Sequence, residues 1–197
     1  MITCADAQCH IKNIDFQRTG GHTSHVGIQT DGTIPIIQYC SGTDLKGIVT
    51  VGASAQVQYC YFTGREPYEN QSTCSYDTCV ADAPTSTAGF NMGHNAELTN
   101  CIVIDGTVQS FLQTLAAART KYRNCLTVST GAIAQTGFDV GTNALGNQVL
   151  INCIAYGRTG GYVYGSAGSY NHRLISCAYV YCTTGFDSDL NAEFIEG

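Results

Sequence analysis

Two aspartates, Asp139 and Asp187, each follow the tripeptide Thr-Gly-Phe, and a pair of carboxylates in a shared setting could do acid and base chemistry on a glycosidic bond. If both tripeptides keep one register two coils apart, at ~4.8 Å per coil, the carboxylates stand ~9.6 Å from each other, at the edge of the range for an inverting glycosidase. Any recurring residue stacks in a repetitive chain, so a surface Asp that helps set a turn is the plainer reading of both.

Arg119, Lys121 and Arg123 alternate, which places them on one face of a strand, and Tyr122 between them makes that the outer face. This basic cluster reads as a solvated strand edge or as a docking patch for an acidic partner surface. His22 and His25, with Cys9-His10 and the pairs Cys4/Cys9, Cys74/Cys79 and Cys177/Cys182, have acceptable metal-ligand chemistry. None of these pairs has the knuckle spacing of a zinc ribbon, so no metal and no cofactor is assigned. The chain has twelve Tyr and no Trp, and Tyr156, Tyr162, Tyr164, Tyr170, Tyr179 and Tyr181 crowd its end. Tyrosine offers area with a polar tip, suited to subunit contacts or to stacking on sugar rings. Internal aromatic stacks are the competing use.

A repeat must position these residues. An apolar residue, a spacer, Asn and Cys recur as Leu98-Thr-Asn100-Cys101, Tyr122-Arg-Asn124-Cys125 and Leu150-Ile-Asn152-Cys153, and with one change as Leu174-Ile-Ser176-Cys177. The cysteines are 24, 28 and 24 residues apart, a period too short for two helices and their turns. Thr-Gly follows as a second marker at Thr136-Gly137, Thr159-Gly160 and Thr184-Gly185. The apolar residue and the Cys should point inward. Strict alternation puts the Asn inward as well, so the chain must bend there, and Asn tolerates the left-handed conformation. Stacked at ~4.8 Å per coil, Asn100, Asn124 and Asn152 form an internal amide ladder beside a column of Cys101, Cys125, Cys153 and Cys177. Ile11 to Phe16 reads as the first coil with Asn13 in the ladder slot, while Tyr39 and Tyr59 occupy that slot in the next two.

With these segments the chain resembles the right-handed parallel β-helix proteins, the pectate-lyase-like superfamily and the β-helical spikes and fibres of tailed phages. Asn152-Cys153-Ile154-Ala155-Tyr156-Gly157 followed by Thr159-Gly160-Gly161 is similar to one of their coils. The resemblance implies an all-β fold, a single-stranded right-handed parallel β-helix filling residues 1–197 as one domain. Register marks from Ile14 onward give about eight coils, a rod of roughly 40 Å. Val108 to Ala118 invites a short helix or a bulged loop, Gly64 to Thr73 a protruding loop, and Phe194-Ile195 a small cap. The resemblance also implies a polysaccharide lyase or glycosidase as one activity. Such lyases pair a basic catalyst with carboxylates that hold calcium on adjacent coils, and no such carboxylates stack beside the Arg119 cluster.

Charged residues make up only 12% of the chain, and the net charge of −6 lacks the basic footprint of general nucleic-acid binding. No segment approaches the roughly 18 consecutive apolar residues of a membrane span. Met1-Ile-Thr-Cys4 leads straight into polar sequence without a signal peptide, so the eleven cysteines read as reduced core residues of a chain folded in a reducing cytoplasm. These features favour a non-catalytic structural or adhesive part of a larger assembly, a virion component such as a phage head decoration, fibre or spike segment. Its expected partners are other protein subunits, copies of itself or virion proteins, and surface polysaccharide. A polysaccharide-degrading enzyme of the same fold is the alternative.

Overall fold

Each passage from the first strand of a coil to the second takes two residues, and these two explain the fold. They separate Ile36–Gln38 from Ser41–Thr43, Ala96–Thr99 from Ile102–Ile104, and Lys121–Arg123 from Leu126–Asp139. The first residue of each pair is left-handed: φ is 57° at Asn13, 55° at Tyr39, 54° at Tyr59, 53° at Thr78, 55° at Asn100 and 52° at Asn124, Asn152 and Ser176. That conformation turns the strand sharply, and Asn adopts it at less cost than other residues bearing a β-carbon. The second residue then points inward, so Cys40, Cys60, Cys79, Cys101, Cys125 and Cys153 form a buried column. Backbone bonds from Leu126 N to Cys101 O, Ile154 N to Cys125 O and Ala178 N to Cys153 O hold successive coils at this level.

The asparagines form hydrogen bonds from coil to coil, but outside the solenoid. Asn124 donates from its side-chain amide to Asn100 Oδ1 at 3.1 Å, Asn152 donates to Asn124 Oδ1 at 3.3 Å, and all three are exposed. The expectation of an internal ladder fails because a left-handed residue interrupts the inward and outward alternation and expels its own side chain. Tyr39 and Tyr59 in the same slot also project outward, with rings 5.1 Å apart and 6° from parallel.

The computed structural model describes residues 1–5, 9–17, 25–31, 34–51, 54–85, 87–93, 95–114, 119–140, 148–163, 172–186 and 192–195. These contain no helix, and their parallel strands stack into a β-solenoid of about seven turns, one fewer than the register marks suggest. One sheet has nine strands and forms the first face. A fifteen-stranded sheet supplies the second and third faces, which meet through the long strands Leu126–Asp139 and Ile154–Val163.

The third face is organised by a small residue followed by a ring. Thr136 pairs with Gly160, and Gly160 with Thr184, so the Thr-Gly of Thr159-Gly160 lies one residue out of register. The aligned pairs are instead Gly137-Phe138, Gly161-Tyr162 and Gly185-Phe186. A β-carbon at Gly137 would lie 2.8 Å from Gly161 O, and one at Gly161 2.6 Å from Gly185 O. Beside these close backbones run the rings of Tyr68, Phe90, Phe111, Phe138, Tyr162 and Phe186, with successive centroids 4.4, 5.2, 4.7, 5.1 and 5.1 Å apart. This stack and the thiol column are two walls of one core.

Other expectations are corrected by the same register. Within Val108 to Ala118, Gln109–Gln113 is a strand whose Ser110, Phe111 and Gln113 are buried, and residues 115–118 lie outside those described. Within Gly64 to Thr73, Glu66–Asn70 is a strand, because Tyr68 belongs to the ring stack. Ala192–Ile195 pairs in parallel with His172–Ile175 and adds a ninth strand to the first face where a cap was expected. Cys4 and Cys9 are joined by a disulfide, which sets this pair apart from the reduced column, and nine cysteines are free.

In the longest coil the pairing of Leu126–Asp139 with Ile154–Val163 shifts register between Val128 and Thr136. Arg158 enters there with 1% of its surface exposed. Its guanidinium donates to Thr127 Oγ1 at 2.8 Å, Gly106 O at 2.9 Å and Val128 O at 3.1 Å. Burial pushes its pKa down to about 10, against the opposing pull of the Asp105 carboxylate.

Candidate functional site

The corner where the third face returns to the first carries an open cleft of ≈ 360 Å³. Its floor is made by the small inward residues Ala55, Cys74 and Ala96 at the leading edge of the first face, and its rim by residues that project outward. Gln56, Ser75, Glu97 and Lys121 share one register and form the inner rim. Arg119 lies on the rim just before its strand, where its backbone N donates to Asn95 Oδ1 at 2.6 Å.

Arg119, Lys121 and Arg123 are therefore on the outer face, with Tyr122 buried behind them as the alternation requires. Arg123 is paired: its Nε lies 3.2 Å from Glu97 Oε1, with both side chains about half exposed. Such a pair contributes little to stability, but it makes the patch mixed in sign. Sequence spacing alone missed Glu97, because the coil-to-coil register that brings it beside Lys121 depends on a bend 24 residues away.

A second polar cluster was missed for the same reason. Lys46 Nζ sits 2.9 Å from Glu66 and 2.8 Å from Glu69, and Asn91 donates to Glu66 Oε1 at 2.9 Å. Burial works to raise the Glu69 carboxyl, but hydrogen bonds from Lys46 and Gln71 outweigh it and hold the group below its ordinary value. Burial likewise works against the Lys46 cation, which its two carboxylates nevertheless hold above the ordinary lysine value. Groups locked in their charged forms this way link coils and are poor proton shuttles at neutral pH.

Asp139 is half-buried at the end of its strand, opposite Val163, and Phe138, Tyr162 and Phe186 keep one register through that part of the solenoid. Asp187 lies outside the described residues, as do Tyr164, Tyr170 and His22. Tyr162 is not a surface residue: it is fully buried in the ring stack, and its hydroxyl donates to Cys153 O at 2.6 Å. Tyr156, Tyr179 and Tyr181 are exposed; Tyr156 and Tyr181 meet edge to face at 5.5 Å, and Tyr179, in the inward register of Ala155 on the last coil, stands against Phe186 at 5.0 Å. Among the described residues no group of three or more His, Cys, Asp or Glu is placed to hold a metal ion, and no helix is long and apolar enough to cross a membrane.

The fold defines this chain as a parallel β-solenoid with an open lateral cleft. Comparison of its sequence with protein-family models and with curated proteins finds no match.

Proposed function

We propose that the chain is a non-catalytic structural or adhesive β-helix component of a larger assembly, and that this assembly is a virion, with the chain acting as a phage head decoration, fibre or spike segment. The observation that carries the reading is the use of large side chains on the outside. Tyr39, Tyr59, Ile154, Tyr156 and Tyr181 project from the solenoid in or beside aligned columns, which suits burial against neighbours. Lys46, Glu66 and Glu69 are absorbed in linking coils, and Arg119, Lys121 and Arg123 serve as a docking patch whose charges steer an acidic partner. Surface polysaccharide is a further partner, taken by the exposed rings. The test is to label particles sedimented from the source with an antibody raised against the chain; decoration of intact particles is expected, and exclusive recovery in the unassembled fraction overturns the reading.

A polysaccharide-degrading enzyme is the second reading, favoured by one feature, the cleft with Glu97, Arg119 and Lys121 on its rim. It requires new chain ends to appear when purified protein meets acidic or neutral polysaccharides.

A further inference from the structure

The outer side of the second face changes character halfway along the solenoid. In its early coils the outward positions are mostly polar, Asp15, Gln17, Ser41, Thr43, Thr63 and Asp82 beside Tyr61 and Val80. In its later coils the outward positions form two apolar columns, Ile102, Leu126 and Ile154 in one and Ile104, Val128 and Tyr156 in the other. The intervening Val103, Thr127 and Ala155 are buried, so the direction of both columns is fixed by the pleat. The last coil continues them with Ala178 and Val180. Ile154 is 41% exposed and Val180 38%. None of the eight side chains in these columns carries a charge. The exposed Asn100, Asn124 and Asn152 border the face on one side and Tyr181 on the other.

We propose that this apolar half-face binds a second copy of the same chain in a two-fold, antiparallel contact. Three features select that occupant. The columns repeat at the rise of the solenoid, ~4.8 Å, so an identical face offers ridges and furrows of matching period. With Tyr181 at its edge, 81% exposed, the face runs through four successive coils and can supply a large part of the roughly 800 Å² per partner that specific interfaces bury. The face is apolar within a polar border, as interface centres are. A two-fold contact is closed and limits the product to a dimer. Charge sets the direction: in an antiparallel pair the acidic early coils of the two copies diverge, whereas a parallel pair would lay Asp15 and Asp82 over their own counterparts. The inference deepens the reading of the chain as an assembly component and rests on it.

Sedimentation equilibrium of the full chain from about 1 µM to about 300 µM spans the affinities expected of such an interface, and a monomer to dimer transition is expected within it. Leu126→Lys and Ile154→Lys should each weaken the dimer roughly 30-fold or more, and Ile154→Thr, which keeps a strand-compatible side chain, should weaken it less. Thr43→Lys, on the polar half of the same face, should leave it unchanged. Circular dichroism confirms that each variant keeps its sheet. A wild-type chain that stays monomeric throughout, or a dimer indifferent to both Lys variants or equally lost in Thr43→Lys, overturns the inference. Polysaccharide turnover by such a monomer would instead overturn the assembly reading itself.

Discussion

The ring of Phe111 lies 4.7 Å from that of Phe138 and within 4° of parallel, although 27 residues of chain separate them. Both are fully buried, with Tyr122 edge-on to each at 5.8 and 6.0 Å. Phe138→Ala should therefore cost about 3–5 kcal/mol by opening a cavity between two rings that cannot close on each other. Equilibrium denaturation in guanidinium measures it. A loss below about 1 kcal/mol would mean that the stack is not a structural wall.

Gly137→Ala tests the spacing of the coils. Its new methyl group would press on the backbone carbonyl of Gly161 at 2.8 Å, which cannot rotate away as a side chain could. A loss of about 1–3 kcal/mol is expected, the usual cost of overpacking, and a crystal structure of the variant should show the two coils spread at this level.

Asn124 separates conformation from hydrogen bonding. Asn124→Gly keeps the left-handed bend at φ 52° while removing the amide contact to Asn100; Asn124→Ala loses both. The Ala variant should be the less stable by about 1 kcal/mol, the strain of an ordinary residue in that conformation. Equal melting temperatures for the two would show that the bend tolerates any side chain.

The Cys74 thiol fixes a pH dependence. Burial pushes it from an ordinary 9.0 up to about 12. Between those values the unfolded chain releases a proton that the folded chain retains, so the contribution is complete below about pH 9 and is lost as pH rises toward 12. Stability in reductant should fall as pH rises from about 9 toward 12, and Cys74→Ala should show a shallower fall. Thiol-reactive dye should label Cys177 and Cys182, which are partly exposed, before the buried Cys101, Cys125 and Cys153.

Asp139→Asn combined with Asp187→Asn should leave the biological role intact, while charge reversal at Arg119, Lys121 and Arg123 together should weaken assembly. Particle reconstitution with labelled chain reads both. Polysaccharide cleavage abolished by the double Asn variant would overturn the contact reading.

The solenoid was legible in the sequence because its bend is local: Asn100-Cys101 and Asn124-Cys125 carry the left-handed residue and the inward thiol side by side. The side on which Asn lies was not legible, since alternation counts residues and takes no account of a φ that reverses sign. Thr-Gly misled because the physical requirement at Gly161 is the absence of a β-carbon beside Gly185 O, and the preceding residue is free to be Gly160. Tyr162, grouped with the late tyrosines as a contact candidate, belongs instead to the internal stack because it follows Gly161 in the register of Phe138. Glu97 beside Lys121, and Lys46 between Glu66 and Glu69, arise between coils and become visible only when the register is exact to one residue.

The two-residue bend between first and second faces recurs unchanged from Asn13 to Ser176, whereas the link from third face to first spans three residues after Asn70 and nine after Asp139. The stretch from second face to third also varies, most of all where Leu126–Asp139 shifts register against Ile154–Val163, so variation in coil length is kept away from the bend between first and second faces. The two corners that flank the third face are the natural places for grafting: a foreign peptide inserted there should leave the bonds at Asn124, Cys125 and their counterparts on neighbouring coils as they are.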